Sequence, residues 1–200
     1  MKKLLLIRPF ANMMNIKSYN SQEIGLCKAF CKYGYDCDIV YFSTVNRSEQ
    51  VFSNGKNKIT LIWKKGIKFG TMAIYPKYLN PIKLKPYDII ISNEYNQIMS
   101  ILLTLIHRNV YIYHGPYFNT FQLDSQMRIY DRISVPICNR LAKGIFTKTD
   151  DAAQFLYNKG LKKVKCVGVG LDTDKFAKEQ SDPIYISETN NILYVGTDER

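Results

Sequence analysis

Residues Tyr87 to Gly115 read YDIIISNEYNQIMSILLTLIHRNVYIYHG. Ile89, Ile90 and Ile91 stand side by side, so the strand YDIIISN at 87–93 is apolar towards both faces, as a central strand of a parallel sheet is. Gln97 to His107 carries apolar residues at helical spacing, and NVYIYHG at 109–115 returns as a strand. Strand, helix and strand in this order form a βαβ unit, which requires helices over a parallel sheet.

The same alternation extends towards the N-terminus. KKLLLIRP opens as a short buried strand, FANMMNIKSYN as a loop, and SQEIGLCKAFCKYG as a helix. Asn20 with Glu23 makes a capping box. Ile24, Cys27, Ala29 or Phe30, and Cys31 form the apolar face, and Gly34 stands where the helix stops. CDIVYFS at 37–43 and KITLIWKKG at 58–66 are the next two strands. Ile67 to Leu84, broken by Pro76 and Pro81, reads as a loop or short helix.

Towards the C-terminus, residues 124–142 predict a helix whose inner face is Met127, Ile129 or Tyr130, Ile133, Ile137 and Leu141, with Pro136 kinking or restarting it. GIFTKT at 144–149 is a strand, and Thr149 is an N-cap for DDAAQFLYNKG, with Asp150 and Asp151 at the positive helix end and Gly160 as C-cap. KKVKCVGVG closes the series. The fold class expected is α/β: a Rossmann-like, open, mostly parallel sheet of six or seven strands with helices on both faces. A closed eightfold barrel generally needs about 250 residues. Ala177 to Thr189 turns polar, and NNILYVG at 190–196 is one more strand signal. The organisation expected is a domain over 1–176, a linker over 177–189, and the first strand of a second domain over 190–200.

Composition narrows the functional classes. The chain has 46% apolar residues and a net charge of +11, enough for a core and favourable to anionic partners. Five cysteines in no CxxC pair, with only His107 and His114, read as buried free thiols in a reducing compartment, not as a zinc site. The run Leu4–Ile7 is too short for a secretory signal. IMSILLTLI at 98–106 falls below the ~20 residues of a spanning helix. The location expected is cytoplasmic, with peripheral attachment at the anionic inner face of the plasma membrane left open. Lys64, Lys65, Lys68, Lys77, Lys83 and Lys85 interleave with Trp63, Phe69, Tyr75 and Tyr78, a mixture that suits lipid headgroups, nucleic acid or a plain solvated edge.

Candidate site residues come from strand ends, because open α/β sheets bind ligands beyond the carboxyl ends of their strands. His114 ends its strand before Gly115 and Pro116, where it either acts on a ligand as acid, base or donor or ties down the turn. His107, closing an apolar helix, reads as a charge at a helix C-terminus. Asn93 and Glu94 end the strand before, placed to hold sugar hydroxyls or to cap the next helix. Arg8, the loop from Asn12 to Tyr19, and Lys148 occupy equivalent places. No G-x-G-x-x-G follows the first strand, and no P-loop or G-x-S-x-G exists in the chain, which argues against dinucleotide, P-loop and α/β-hydrolase chemistry.

VKCVGVGLDTDKF at 164–176, followed by NNILYVGTDER, resembles the interdomain junction of retaining glycosyltransferases of the GT-B fold, family four. The matching positions are Gly168, Gly170, Leu171, Asp172 and Phe176, and the resemblance runs along the whole chain as an N-terminal half. It implies two Rossmann-like domains facing a cleft and transfer of sugar from a UDP- or GDP-linked donor, a substrate and not a cofactor, without a required metal. It also implies that this half binds a glycan or lipid-linked acceptor in the building of a surface polysaccharide. His114 takes the place of the family's cleft histidine and is the catalytic candidate. Thr147 and Thr149 fall where the family carries Ser or Thr. Arg8, Asn12, Tyr19, Asn93, Glu94, Gly115, Lys148 and Thr149 become substrate-binding candidates. Gly168, Gly170, Asp172 and Phe176 become the hinge. The family's paired glycines in the first loop are replaced by RPFANMMNIKSYNSQE, with Gly25 too deep in the helix. Its donor-holding C-terminal residues lie beyond Arg200, so these residues are expected to be catalytically incomplete alone. Nucleic acid is disfavoured as a partner. The alternatives are a free-standing α/β module that binds a phosphorylated metabolite or nucleic acid, and a flavodoxin-like scaffold domain.

Overall fold

The computed structural model describes residues 2–16, 22–121 and 123–170. Their elements are β1 (Lys2–Ile7), α1 (Gln22–Lys32), β2 (Tyr35–Phe42), β3 (Arg47–Ser53), β4 (Lys58–Lys64), β5 (Ile67–Phe69) and β6 (Met72–Ile74). A 3-10 turn (Pro76–Leu79), α2 (Pro81–Leu84), β7 (Ile89–Asn93), α3 (Ile98–Ile106), β8 (Val110–His114) and α4 (Asp124–Leu141) follow. The series closes with β9 (Gly144–Thr147), α5 (Asp150–Asn158) and β10 (Val164–Cys166).

The main sheet runs β10-β9-β8-β7-β1-β2-β4-β3. Every neighbouring pair is parallel except β3 with β4. Strand order reverses about β1, which has β2 on one side and β7 on the other. A crevice therefore opens beyond the carboxyl ends of β1 and β7.

Side-chain alternation places the core on both faces. Leu4 and Leu6 join Ile39, Leu61 and the α1 residues Ile24, Cys27 and Cys31, while Leu5 and Ile7 join Val40, Ile90 and the α3 residues Met99 and Leu103. A third cluster packs α4 and α5 against Ile112 and Ile145. Each fully buried aliphatic side chain contributes on the order of 2 kcal/mol, which is why the continuous apolar strands seek the centre. Gly34 ends α1 at φ +86 and Gly160 follows α5 at φ +88, a region glycine enters without a Cβ penalty. Thr149 caps α5, its Oγ1 accepting from Ala152 N at 3.1 Å.

Several expectations are corrected. Residues 47–53 form an antiparallel edge strand that their exposed, polar composition does not announce. Ile67–Leu84 is a hairpin, β5–β6, followed by two single turns. Pro136 lies inside an unbroken α4. The buried face of that helix is Met127, Ser134 and Cys138, whereas Ile129 and Ile133 are 65% and 60% exposed. Of the aromatics interleaved with lysines, Trp63, Tyr75 and Tyr78 are core residues and only Phe69 is exposed. His107 closes α3 with its Nδ1 accepting from Asn109 N at 3.3 Å, and burial pulls its pKa down. No described helix is long and apolar enough to cross a membrane. Asn20, Tyr19, Asp172 and Phe176, with the stretches expected to form a linker and a second-domain strand, lie outside the described residues.

Candidate functional site

The start of the first loop, residues 8–11, is fixed without glycines. Ala11 N donates to Thr71 O at 2.8 Å and Ala73 N to Pro9 O at 2.9 Å, and Phe10 bridges to Met72. The segment after β1 is thus pinned to the β5–β6 hairpin, which sets Phe10 over the crevice. Tyr75, buried beneath, donates its hydroxyl to Arg8 O at 2.9 Å. The Arg8 side chain donates to Asn12 Oδ1 at 2.8 Å, lies 4.8 Å from the Phe10 ring centroid and 3.8 Å from Glu23 Oε1. Asn93 Nδ2 donates to that same oxygen at 3.0 Å.

Glu94 is the one described non-glycine residue at positive φ, +64. Such a conformation costs on the order of 1–3 kcal/mol and persists only where its surroundings enforce it. Here they do. Glu94 N donates to Tyr113 O at 3.0 Å, and Ser100 Oγ donates to Glu94 O at 2.7 Å. The next residue, Tyr95, is wholly buried, with its hydroxyl donating to Asp131 at 3.0 Å and its carbonyl accepting from Tyr130. Burial first, then the Asp131 carboxylate, pushes the Tyr95 phenol up, which keeps it a donor. Lys159 closes this brace on Asp131 at 2.7 Å.

The twist aims the Glu94 carboxylate at the turn after β8. Both its oxygens accept from Gly115 N at 3.3 Å, and Oε2 is in close contact with His114 Nδ1. His114 sits at its strand end as expected, but its ring is completely buried, between Tyr95 at 5.1 Å and Phe155 at 6.3 Å between centroids. His114 therefore backs Glu94, and Glu94 is the group that borders the cavities. Gly115 spends its N–H on the same carboxylate. Lys148 is half-buried beside Gly115, its Nζ 5.4 Å from the Tyr113 ring centroid. Thr147 is buried and Thr149 caps α5. Gly168 adopts φ +78 after β10, its carbonyl accepting from the Tyr113 hydroxyl at 3.0 Å, a turn that glycine permits. Gly170 follows with no neighbour crowding its Cα.

Two cavities meet at Glu94 and Phe10. One, about 450 Å³, is polar and includes Arg8, Glu23, Asn93 and Lys148 in its walls. The other, about 790 Å³, is walled mainly by Phe69, Met72, Phe121, Ile129 and Ile133. Both fall within the range typical of small-molecule sites. Asn93 Oδ1, Asn96 Oδ1, Gln97 Oε1 and His114 Nε2 are buried with no partner among the described residues. Among the described residues, no group of His, Cys, Asp or Glu is arranged to hold a metal ion. Phe10, Met72, Ile129 and Ile133 are site residues that strand-end reasoning does not find, since two come from an unexpected hairpin contact and two from a helix face read as core.

No protein-family model matches the chain, and no curated protein matches it in sequence. Its backbone superposes on HepE (Alr3699) of Anabaena, solved with UDP-glucose, at TM-score 0.51 and 13% identity, over 87% of this chain and 45% of that one. HepE solved with UDP gives TM-score 0.50 with the same identity and coverage. The fold is Rossmann-like, of the GT-B N-terminal type. An α,α-trehalose 6-phosphate synthase of Burkholderia multivorans is similar at TM-score 0.48 and 12% identity, over 88% of this chain and 51% of that one. The chain spans about half the length of these GT-B-type structures.

Proposed function

We propose that this chain is the acceptor-side domain of a glycosyltransferase that uses a nucleotide sugar. The observation that carries the reading is Glu94: a carboxylate on enforced left-handed backbone, at the strand-order reversal, where a polar and an apolar cavity meet. In a GT-B-type fold this is one wall of the cleft. A carboxylate held by Gly115 N and His114 accepts a hydrogen bond from an acceptor hydroxyl and raises its nucleophilicity. Arg8 and Lys148 place positive charge where the donor's phosphates approach. The donor is a UDP- or GDP-linked sugar, and HepE, solved with UDP-glucose and with UDP, supports that class of ligand. His114 acts through Glu94 as a positioning residue. Retention of configuration and membership of family four complete this reading, and what supports them is the resemblance of the junction sequence around Gly168 and Gly170.

The test is sugar transfer by the full-length gene product from a panel of nucleotide sugars, beside Glu94→Gln and His114→Ala. Glu94→Gln is expected to lower kcat by about 10²-fold or more, with KM for the donor little changed. Loss of its backing makes His114→Ala slower as well, by less. Equal turnover by wild type and Glu94→Gln would remove the carboxylate from the chemistry. Absence of transfer from every donor would remove the enzyme reading.

A further inference from the structure

The larger cavity, a groove between the β5–β6 hairpin and α4, departs from the rest of the chain in charge. The sequence carries 28 Lys and Arg against 17 Asp and Glu. Yet among the described residues no Lys, Arg or His lines this groove, and its one charged residue is Glu94. Lys68 and Arg132, next in sequence to the wall residues Phe69 and Ile133, are not part of the wall. Phe10, Phe69, Phe121 and Tyr130 bring four aromatic rings to it, and the negative face of such a ring attracts a cation.

The polar part of the wall is made of acceptors. Asn96 commits its Nδ2 to Thr120 Oγ1, so the carbonyl oxygen is its free end. Asn96 Oδ1 and Gln97 Oε1, on residues 3% and 4% exposed, have no partner among the described residues. Buried acceptors left unpaired are costly, which calls for a donor from a ligand. Glu94 accepts from Gly115 N with both oxygens, and a carboxylate, with about four lone-pair sites, keeps room for a further donor. The amino end of α3, at Ile98, brings roughly half a positive charge nearby, less than the full negative charge of Glu94. The smaller cavity differs, since Arg8 and Lys148 stand in its wall beside Glu23 and Glu94.

We propose that the groove binds an ammonium group, and hence that the acceptor carries an unmodified amino group beside its reacting hydroxyl, as an amino sugar or amino alcohol does. The ammonium donates to Asn96 Oδ1 and Gln97 Oε1 among the aromatic rings, and Glu94 balances its charge. An anionic ligand would meet Glu94 with no cation in the wall to offset it. A purely apolar one would leave both amide oxygens unpaired. This rests on the reading of the chain as an acceptor-side domain and names the class of acceptor. The two cavities then sort charge, with the donor's phosphates beside Arg8 and Lys148 and the acceptor's cation on the other side of Glu94.

Cyclohexylammonium, cyclohexanol and cyclohexanecarboxylate share one ring and differ in charge, so they test it. When each is titrated calorimetrically into the full-length gene product at neutral pH, the ammonium is expected to bind about tenfold or more tighter than the alcohol. The carboxylate should bind weakest. Glu94→Gln should remove most of the ammonium's advantage and leave the alcohol as it was. Ile133→Lys, at a 60% exposed position in the wall, should cut ammonium affinity about fivefold or more and raise that of the carboxylate. Its circular dichroism spectrum should not change, because the side chain is already exposed. Ile82→Lys, at an exposed apolar position outside the groove, adds the same net charge and should leave all three affinities unaltered. Equal affinities for ammonium and alcohol, tightest binding of the carboxylate, or no binding of any probe overturns the proposal. So does an ammonium advantage that survives both Glu94→Gln and Ile133→Lys. Transfer from a nucleotide sugar to neutral acceptors without ammonium preference retires the ammonium site and keeps the transferase. Ammonium preference without transfer from any nucleotide sugar does the reverse.

Discussion

Gly115 shows how narrowly the site is built at the level of single residues. Its N–H holds both Glu94 oxygens, and a Cβ there would meet Lys148 Cδ at 3.0 Å. The obstacle is the flexible end of a lysine and not backbone. Gly115→Ala should therefore cost only about 1 kcal/mol, the low end for overpacking, and displace Lys148 from the polar cavity. Urea denaturation measures the first effect, and a raised KM for the donor with kcat preserved measures the second. A loss well above 3 kcal/mol would show that the β8 turn itself must move. His114, Arg8, Glu94 and Lys148 were all legible as strand ends by counting periods. That His114 is buried was not legible, since its cover, Tyr95 and Phe155, comes from two other elements.

Helix α4 carries the clearest lesson among the elements. Its apolar residues form two stripes, one at Met127 and Cys138 facing the sheet and one at Ile129 and Ile133 facing the groove. Helical periodicity merges them into a single wide face, so an exposed apolar stripe reads as core. The distinction is measurable: Met127→Ala should cost about 2–5 kcal/mol, whereas Ile133→Ala should stay within about 0.5 kcal/mol. Equal costs would restore the single-face reading. By contrast, Thr149, Asp150 and Gly160 delimit α5 through strictly local chemistry, and there the structure follows the sequence closely. The edge strand β3 had no such signal. Its pairing with β4 supplies the hydrogen bonds that its polar side chains do not advertise.

At the scale of the whole molecule, the core keeps several ionisable groups neutral. Burial pushes the Cys138 thiol up to about 12, and burial followed by the Asp38 carboxylate pushes the Tyr78 phenol up to about 12. Unfolded values are about 8.5 and 10. Both groups are raised on folding, so their stabilisation is complete below the unfolded values and is lost as pH climbs towards 12. The urea midpoint should consequently fall between pH 7.5 and 10.5, and the fall should be smaller in Cys138→Ala. A midpoint that does not move across that interval would contradict the burial of both groups.

The sequence by itself determined the alternation of the central strands with their helices, the parallel central sheet, and the set of residues delivered to the carboxyl edge. Those follow from periodicity, capping and turn chemistry, which act over a few residues. Tertiary structure alone decided that the segment after β1 is clamped by the β5–β6 hairpin, that Glu94 is bent into the crevice with His114 behind it, and that α4 turns a second apolar stripe to the outside. Each of these depends on groups from segments tens of residues apart. Their energies arise only when the sheet brings them into contact, and no local pattern records them.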